Sequence, residues 1–375
     1  MSQALKAPFP YFGGKSRIAP LVWTRFGDTP NYVEPFGGSL AVLLARPFPV
    51  RIETVNDASG FIVNFWRAVQ ADPNEVAKWA DNPVFESDLH ARNIWCVNRY
   101  ADLTARLEGD PLYYDVQAAG WWVWGQSCSI RCNFGVACGS WNTIDGKIAK
   151  VGTRAGVKHE SPELDHAKGV VVMGAHGVKR ALPLLGSTDG VNALGVDRER
   201  PTLEKGAGRG TTKFTRGIHL GDKGTANPHP FVPLENYFGE LQARLRRVRI
   251  LAGDWTRCMG DSVTTRHGVT AVFLDPPYSH EGRESKLYKE EMPVADAVRE
   301  WAIENGDNPM LRIALCGYDG EHDLPTGWEC VEWKANGGYG NQSNKQGREN
   351  AKRERIWFSP HCLRPITTLF DEVVE

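Results

Sequence analysis

Apolar positions along the chain switch between two spacings. Residues 31–36 read as a short strand running into Gly37 and Gly38, and residues 39–45 then begin a helix with Ser39 as the expected cap. Residues 51–55 read as a second strand that ends at Asn56-Asp57. Residues 61–70 follow with helical spacing through Ile62, Phe65, Trp66 and Val69. This strand–helix alternation is the grammar of a parallel, doubly wound sheet. Residues 71–134 read as helical and Trp-rich. Residues 135–230 are Gly-rich and polar without periodicity, the texture of a functional insertion.

From residue 231 the alternation returns. Leu234, Phe238, Leu241, Leu245 and Val248 mark one helix face, and Arg244, Arg246, Arg247 and Arg249 at its end suit a helix C-terminus. Strands are expected over 249–252, 270–274 and 311–316, with a final antiparallel pair over 328–334 and 355–358. The expectation is one α/β sheet assembled from 1–70 and 231–375, with 71–230 inserted between them.

Composition narrows the class. The 375 residues carry 44 Lys/Arg against 45 Asp/Glu, with 41% hydrophobic and 24% charged residues. That is ordinary globular usage and excludes disordered, collagenous and disulfide-stapled chains. Near-zero net charge excludes a uniformly basic nucleic-acid coat, but residues 147–216 hold thirteen Lys/Arg against seven Asp/Glu, a local basic excess. The longest apolar runs, such as 40–45, fall well short of the ~20 residues of a membrane helix. The first residues lack the apolar core of a secretory signal. Eight scattered Cys fit a reducing cytosol, and most of the thirteen Trp are expected in the core.

The strongest chemical signal is Asp275-Pro276-Pro277-Tyr278 directly after an apolar strand. Open α/β sheets place ligands beyond the carboxyl ends of their strands. Two prolines stop the strand and present carbonyls from a rigid loop. An Asp carboxylate and a proline carbonyl there can both accept hydrogens from one exocyclic amine, and the tyrosine offers a stacking face. The plainer alternative is a β-turn opened by Asp. Tyr32-Val33-Glu34-Pro35-Phe36-Gly37-Gly38-Ser39 is a second signal, since small residues after a strand admit a cofactor closely and Glu34 suits a cationic group. It is not the GxGxxG fingerprint of nicotinamide enzymes. Asn56-Asp57 ends the second strand, where an acid typically binds a ribose diol. Tyr11-Phe12-Gly13-Gly14-Lys15 adds a close-approach turn with a cation. Cys128, Cys132 and Cys138 lack paired CxxC spacing and a nearby His, so buried thiols are expected and no metal.

The ordered set FGGK, VEPFGGS, VND, a long insertion, GDW and LDPPY resembles the Dam-type, alpha-group DNA adenine-N6 methyltransferases. The resemblance implies a Rossmann-like S-adenosylmethionine-dependent methyltransferase fold with a mostly parallel seven-stranded sheet and a target-recognition domain in the insertion. It implies Asp275, Pro276, Pro277 and Tyr278 as the catalytic tetrapeptide. It implies contacts to S-adenosylmethionine from Tyr11, Lys15, Glu34, Phe36, Gly38, Asp57, Asp254 and Asp275. One departure stands out: the family usually has a second glycine in the loop where this chain has Leu40.

The expected reaction is methyl transfer to the N6 amine of adenine in double-stranded DNA, after base flipping and without a covalent enzyme intermediate. Tyr278 would stack on the flipped base while Asp275 and the Pro276 carbonyl take the amine hydrogens. Arg131, Lys213 and Arg216 are candidate DNA contacts. A bacterial or phage-encoded cytoplasmic enzyme, monomeric or homodimeric, solitary or in a restriction-modification pair, fits this reading. Its rivals are an RNA or protein-amide methyltransferase of the same fold and a catalytically silent DNA-binding module.

Overall fold

The computed structural model describes residues 5–11, 13–129, 134–135, 141–144, 147–150, 171–173, 179–181, 233–278, 291–333 and 353–364. The chain divides into two compact units, Met1–Cys138 with Thr212–Glu375, and Gly139–Thr211. In the first, α1 (Ala19–Phe26), β1 (Asn31–Glu34), α2 (Ala41–Leu44), β2 (Ile52–Asp57), α3 (Gly60–Ala71), α4 (Pro73–Ala80), α5 (Glu86–Gly109) and α6 (Val116–Cys128) follow one another. The second unit holds two antiparallel pairs, β3 (Trp141–Ile144) with β4 (Lys147–Lys150) and β5 (Val171–Met173) with β6 (Lys179–Ala181). The first unit resumes with α7 (Leu234–Leu245), β7 (Val248–Ala252), β8 (Thr270–Leu274), α8 (Glu291–Asn305), β9 (Leu311–Tyr318), β10 (Glu329–Glu332) and β11 (Glu354–Phe358). Residues 71–128, expected as part of the insertion, form helices of this first unit.

Seven strands make one sheet in the order β10-β11-β9-β8-β1-β2-β7. The expectation of a mostly parallel sheet is corrected: the sheet is mixed. Strands β7, β2, β1, β8 and β9 pair in parallel, whereas β11 pairs antiparallel with both β9 and β10. The expected antiparallel pair is present, with β11 lying between β10 and β9. Its reversed direction puts its first residue, Glu354, opposite Tyr318, the last residue of β9. The start of β11 therefore lies at the edge where the parallel strands end. The α/β architecture with a seven-stranded sheet is consistent with a methyltransferase fold.

Strands β1 and β8 are buried along their whole length. On β8, Ala271 and Phe273 join one core, while Val272 and Leu274 join a second core with Val298 and Ala302 of α8. Burial on both faces explains the unbroken apolar run of β8. The expected apolar spacing of α3 and α7 is realised, with Phe65, Trp66, Phe238 and Leu241 all at or below 1% exposure. Trp23, Trp66, Trp122 and Trp124 are buried, as expected of core tryptophans.

One local reading is corrected and another is extended. Ser39 is not a helix cap: α2 starts one residue later from Leu40, which makes no capping side-chain bond and adopts the left-handed conformation at φ 53° and ψ 30°. That conformation costs a branched residue about 1–2 kcal/mol, and Leu40 holds it with its side chain wholly buried. Arg244 lies in the last turn of α7, as expected, and has a further role. It donates to the buried Glu53 carboxylate of β2 at 2.6 and 2.9 Å and to the Leu43 carbonyl at 2.8 Å, clamping α7 to the sheet.

Candidate active site

The loops after β1, β2 and β7 are tied together largely through main-chain groups. Gly37 N–H donates to the Asn56 carbonyl at 2.7 Å, and Gly253 N–H to the Asp57 carbonyl at 3.1 Å. The Asn56 amide donates to the carbonyls of Pro35 and Gly253 at 3.1 and 3.0 Å. Asp57 accepts from Gly38 N–H and Ser59 N–H, each at 2.8 Å. Gly38 has φ 48°, and a Cβ there would lie 2.6 Å from Cε1 of Tyr11, so the tyrosine ring rests directly on this glycine. Phe36 stacks on Trp255 with centroids 6.2 Å apart. Exposed Asp254 caps the 3-10 turn Trp255–Cys258 by accepting from Thr256 N–H at 2.9 Å.

The loop after β8 is held by side chains. Lys15 Nζ sits 2.8 Å from Asp275 Oδ1 and donates to the Gly13 carbonyl at 2.9 Å. The same Oδ1 lies 3.0 Å from the Tyr278 hydroxyl, which is also 3.2 Å from Glu354 Oε2. The Lys15 ammonium stands 5.1 Å from the Tyr278 ring centroid and 5.7 Å from that of Trp333. Tyr318 meets the Tyr278 ring edge to face at 4.7 Å. Pro276 is buried and Pro277 exposed, as two prolines leaving a strand in opposite directions must be.

Three carboxyls here are pushed upward by burial. Glu34 rises to about 8; it lies inside the sheet and accepts from the Tyr32 hydroxyl at 2.9 Å. Asp57 rises to about 6, with the Ser59 and Gly38 amides opposing the shift. Glu354 is also raised, with Lys15 opposing and Asp275 reinforcing the effect of burial. Burial, the largest single influence, lowers the Lys15 pKa, but Asp275, Cys316 and Glu354 together outweigh it and raise it, so Lys15 stays a cation.

The fold thus gathers Tyr11, Lys15, Phe36, Gly38, Asp57, Asp254, Asp275 and Tyr278 at one edge, with Glu34 inside the sheet behind them. Arg131, Lys213 and Arg216 lie outside the described residues, as do Cys132 and Cys138; the Cys128 thiol is free and pushed up to about 12 by burial. Among the described residues no group of three or more His, Cys, Asp or Glu is placed to hold a metal. Nor is any described helix long and apolar enough to cross a membrane. Sequence reading missed Glu354, Trp333 and Tyr318. The expected strand at 355–358 began one residue too late to include Glu354, and its antiparallel sense already placed that residue at the ligand edge.

Residues 11–95 match the family model of the D12 class N6 adenine-specific DNA methyltransferases. No curated protein matches the chain. The matched stretch contains Tyr11, Lys15, Glu34, Phe36, Gly38 and Asp57, and Asp275 and Tyr278 lie beyond it. The match bears out the resemblance and indicates an adenine-specific DNA methyltransferase, for which the family implies S-adenosylmethionine as methyl donor and DNA as substrate.

Proposed function

We propose that this adenine-specific DNA methyltransferase modifies the N6 amine of adenine at a specific site in double-stranded DNA, by base flipping and direct transfer. The observation that carries the reading is the arrangement at Asp275: one carboxylate oxygen engaged by both Lys15 and the Tyr278 hydroxyl, in a proline-stiffened loop beyond a buried strand. S-adenosylmethionine, when bound, supplies the methyl group from its sulfonium. The donor set suits that molecule: Asp57 for a ribose diol, the Tyr11 and Phe36 rings, and main-chain groups at Gly38.

The adenine amine is a weak nucleophile because its lone pair is delocalised into the ring. Asp275, through its other carboxylate oxygen, and the Pro276 carbonyl accept the two amine hydrogens and localise that pair. Tyr278 stacks on the extruded base. Lys15 holds Asp275 in place through their 2.8 Å ion pair. Catalysis is then positioning plus preorganised charge, without a covalent intermediate. The catalytic parts come from 1–70 and 231–375. Target readout is assigned to the inserted region within 71–230, with Arg131, Lys213 and Arg216 as phosphate contacts.

Single-molecule sequencing of DNA from cells expressing the protein, beside an Asp275→Ala control, tests this. Adenine modification at one repeated motif, absent in the control, is expected. Unmodified DNA from a protein that binds S-adenosylmethionine would overturn the DNA reading in favour of RNA or a protein amide. Motif-specific DNA binding without any methyl transfer would mark a silent binding module.

A further inference from the structure

We propose that Glu354 is a positioning residue of the transfer reaction: from the first position of β11 its carboxyl holds the Tyr278 hydroxyl and so sets the pose in which Tyr278 and Asp275 receive the base. The inference rests on the methyltransferase reading above and adds a residue from the antiparallel strand to it.

A phenol has one hydrogen to donate. The Tyr278 oxygen faces two carboxyl oxygens, Asp275 Oδ1 at 3.0 Å and Glu354 Oε2 at 3.2 Å. If both acids were ionised, one contact would set two acceptors against each other in a buried site. With Glu354 neutral, both contacts are satisfied: Glu354 donates to the phenol oxygen, and the phenol donates to Asp275. Glu354 is 5% exposed, and burial, its first cause, raises its pKa. The charges and titratable groups around it are Lys15 from the N-terminal segment, Asp275 and Tyr278 from the loop after β8, Cys316 and Tyr318 on β9, and Glu321 beyond β9. Asp275 is the acid of this set that pairs directly with the Lys15 ammonium, at 2.8 Å.

An ionised Glu354 competes with Asp275 for the single phenol hydrogen and releases the tyrosine from its pose. Activity therefore falls as rising pH ionises Glu354. Glutamine keeps a donor toward the phenol oxygen and cannot ionise.

The test compares kcat, KM for S-adenosylmethionine and pH profile for wild type, Glu354→Gln, Glu354→Ala and Tyr278→Phe, and for Tyr278→Phe combined with Glu354→Ala. Glu354→Ala is expected to lower kcat about 10- to 100-fold, with KM for S-adenosylmethionine changed less than about twofold, since its carboxyl bonds Tyr278 rather than the Gly38 and Asp57 loops. On the Tyr278→Phe background the same change is expected to cost nothing further. Glu354→Gln is expected to keep the wild-type maximum of kcat and to lack the fall that the wild type shows as rising pH ionises Glu354. Unchanged kcat in Glu354→Ala, or an equal loss with and without the tyrosine hydroxyl, overturns the proposal. If Glu354→Ala does not fold, Glu354→Gln decides, and a pH profile identical to that of the wild type overturns it. If the wild type transfers no methyl group to DNA, the methyltransferase reading itself fails. NMR of ring-labelled tyrosine in the full chain, with no cofactor or DNA added, then still decides the contact. The Tyr278 resonance should move in Glu354→Ala and stay in Glu354→Gln; an unmoved resonance in Glu354→Ala overturns it.

Discussion

Two loop systems share one edge of the sheet and are held by different forces. Around Gly38 and Asp57, main-chain N–H groups and carbonyls set the positions, and side chains rest on them. Around Asp275, a lysine, a tyrosine and a second acid set the positions mainly through side-chain atoms. Main-chain bonds do not titrate and survive most substitutions. A buried cluster of charged side chains depends on every member, because removing one leaves its partner uncompensated. The cofactor edge should therefore tolerate change, and the edge at Asp275 should not.

The sharpest way to break this contrast is Asp275→Ala. It is expected to lower kcat by about 10³-fold, as for loss of a main electrostatic contact, with DNA binding retained in a gel-shift assay. Next is Lys15→Met, which leaves Asp275 without its countercharge; Lys15 is 4% exposed. A stability loss of about 3 kcal/mol is expected by urea denaturation, at the low end for a broken buried pair because Asp275 is partly open to water. On the other edge the test is pH. With the Asp57 pKa raised by burial to about 6, its carboxylate is lost as pH falls through that value. Affinity for S-adenosylmethionine by calorimetry should then drop about tenfold per pH unit below it, and Asp57→Asn should show a flat profile. The same shift means the folded chain holds a proton that the unfolded chain releases, so Asp57 lowers stability as pH rises from 3.8 toward about 6. The smallest effect is expected for Gly38→Ala. Its left-handed φ and the Tyr11 ring resist a methyl group, at about 1–2 kcal/mol, read as roughly tenfold weaker cofactor binding with kcat unchanged once saturated.

The same division explains what was legible in the sequence. Strands and helices built on apolar spacing were readable at β1, β2, α3, α7 and β8, because burial on one or both faces writes itself into residue type. Asp275 and Tyr278 were readable because prolines after an apolar strand have few other uses. Leu40 misled: Ser39 looked like a cap, and nothing in residue type announces a leucine in the left-handed region. Arg244 was legible as a helix-end cation but not as a clamp, since its partner Glu53 lies 191 residues earlier in the chain. Glu354 went unseen because its role depends on which strand β11 enters between, a property of topology rather than of spacing.

That distant pair has a consequence for how such a chain changes over time. Arg244 and Glu53, with the pairing of β2 to β7, fasten the chain before the insertion to the chain after it. Once the two ends are fastened, the entropy of closing the intervening segment grows only with the logarithm of its length, about 0.6 kcal/mol per doubling. The catalytic sheet is thus nearly indifferent to how long the inserted stretch is. With target readout proposed for that stretch, recognition of a new DNA sequence would be open to replacement as a cassette, while the frame that closes around it is kept.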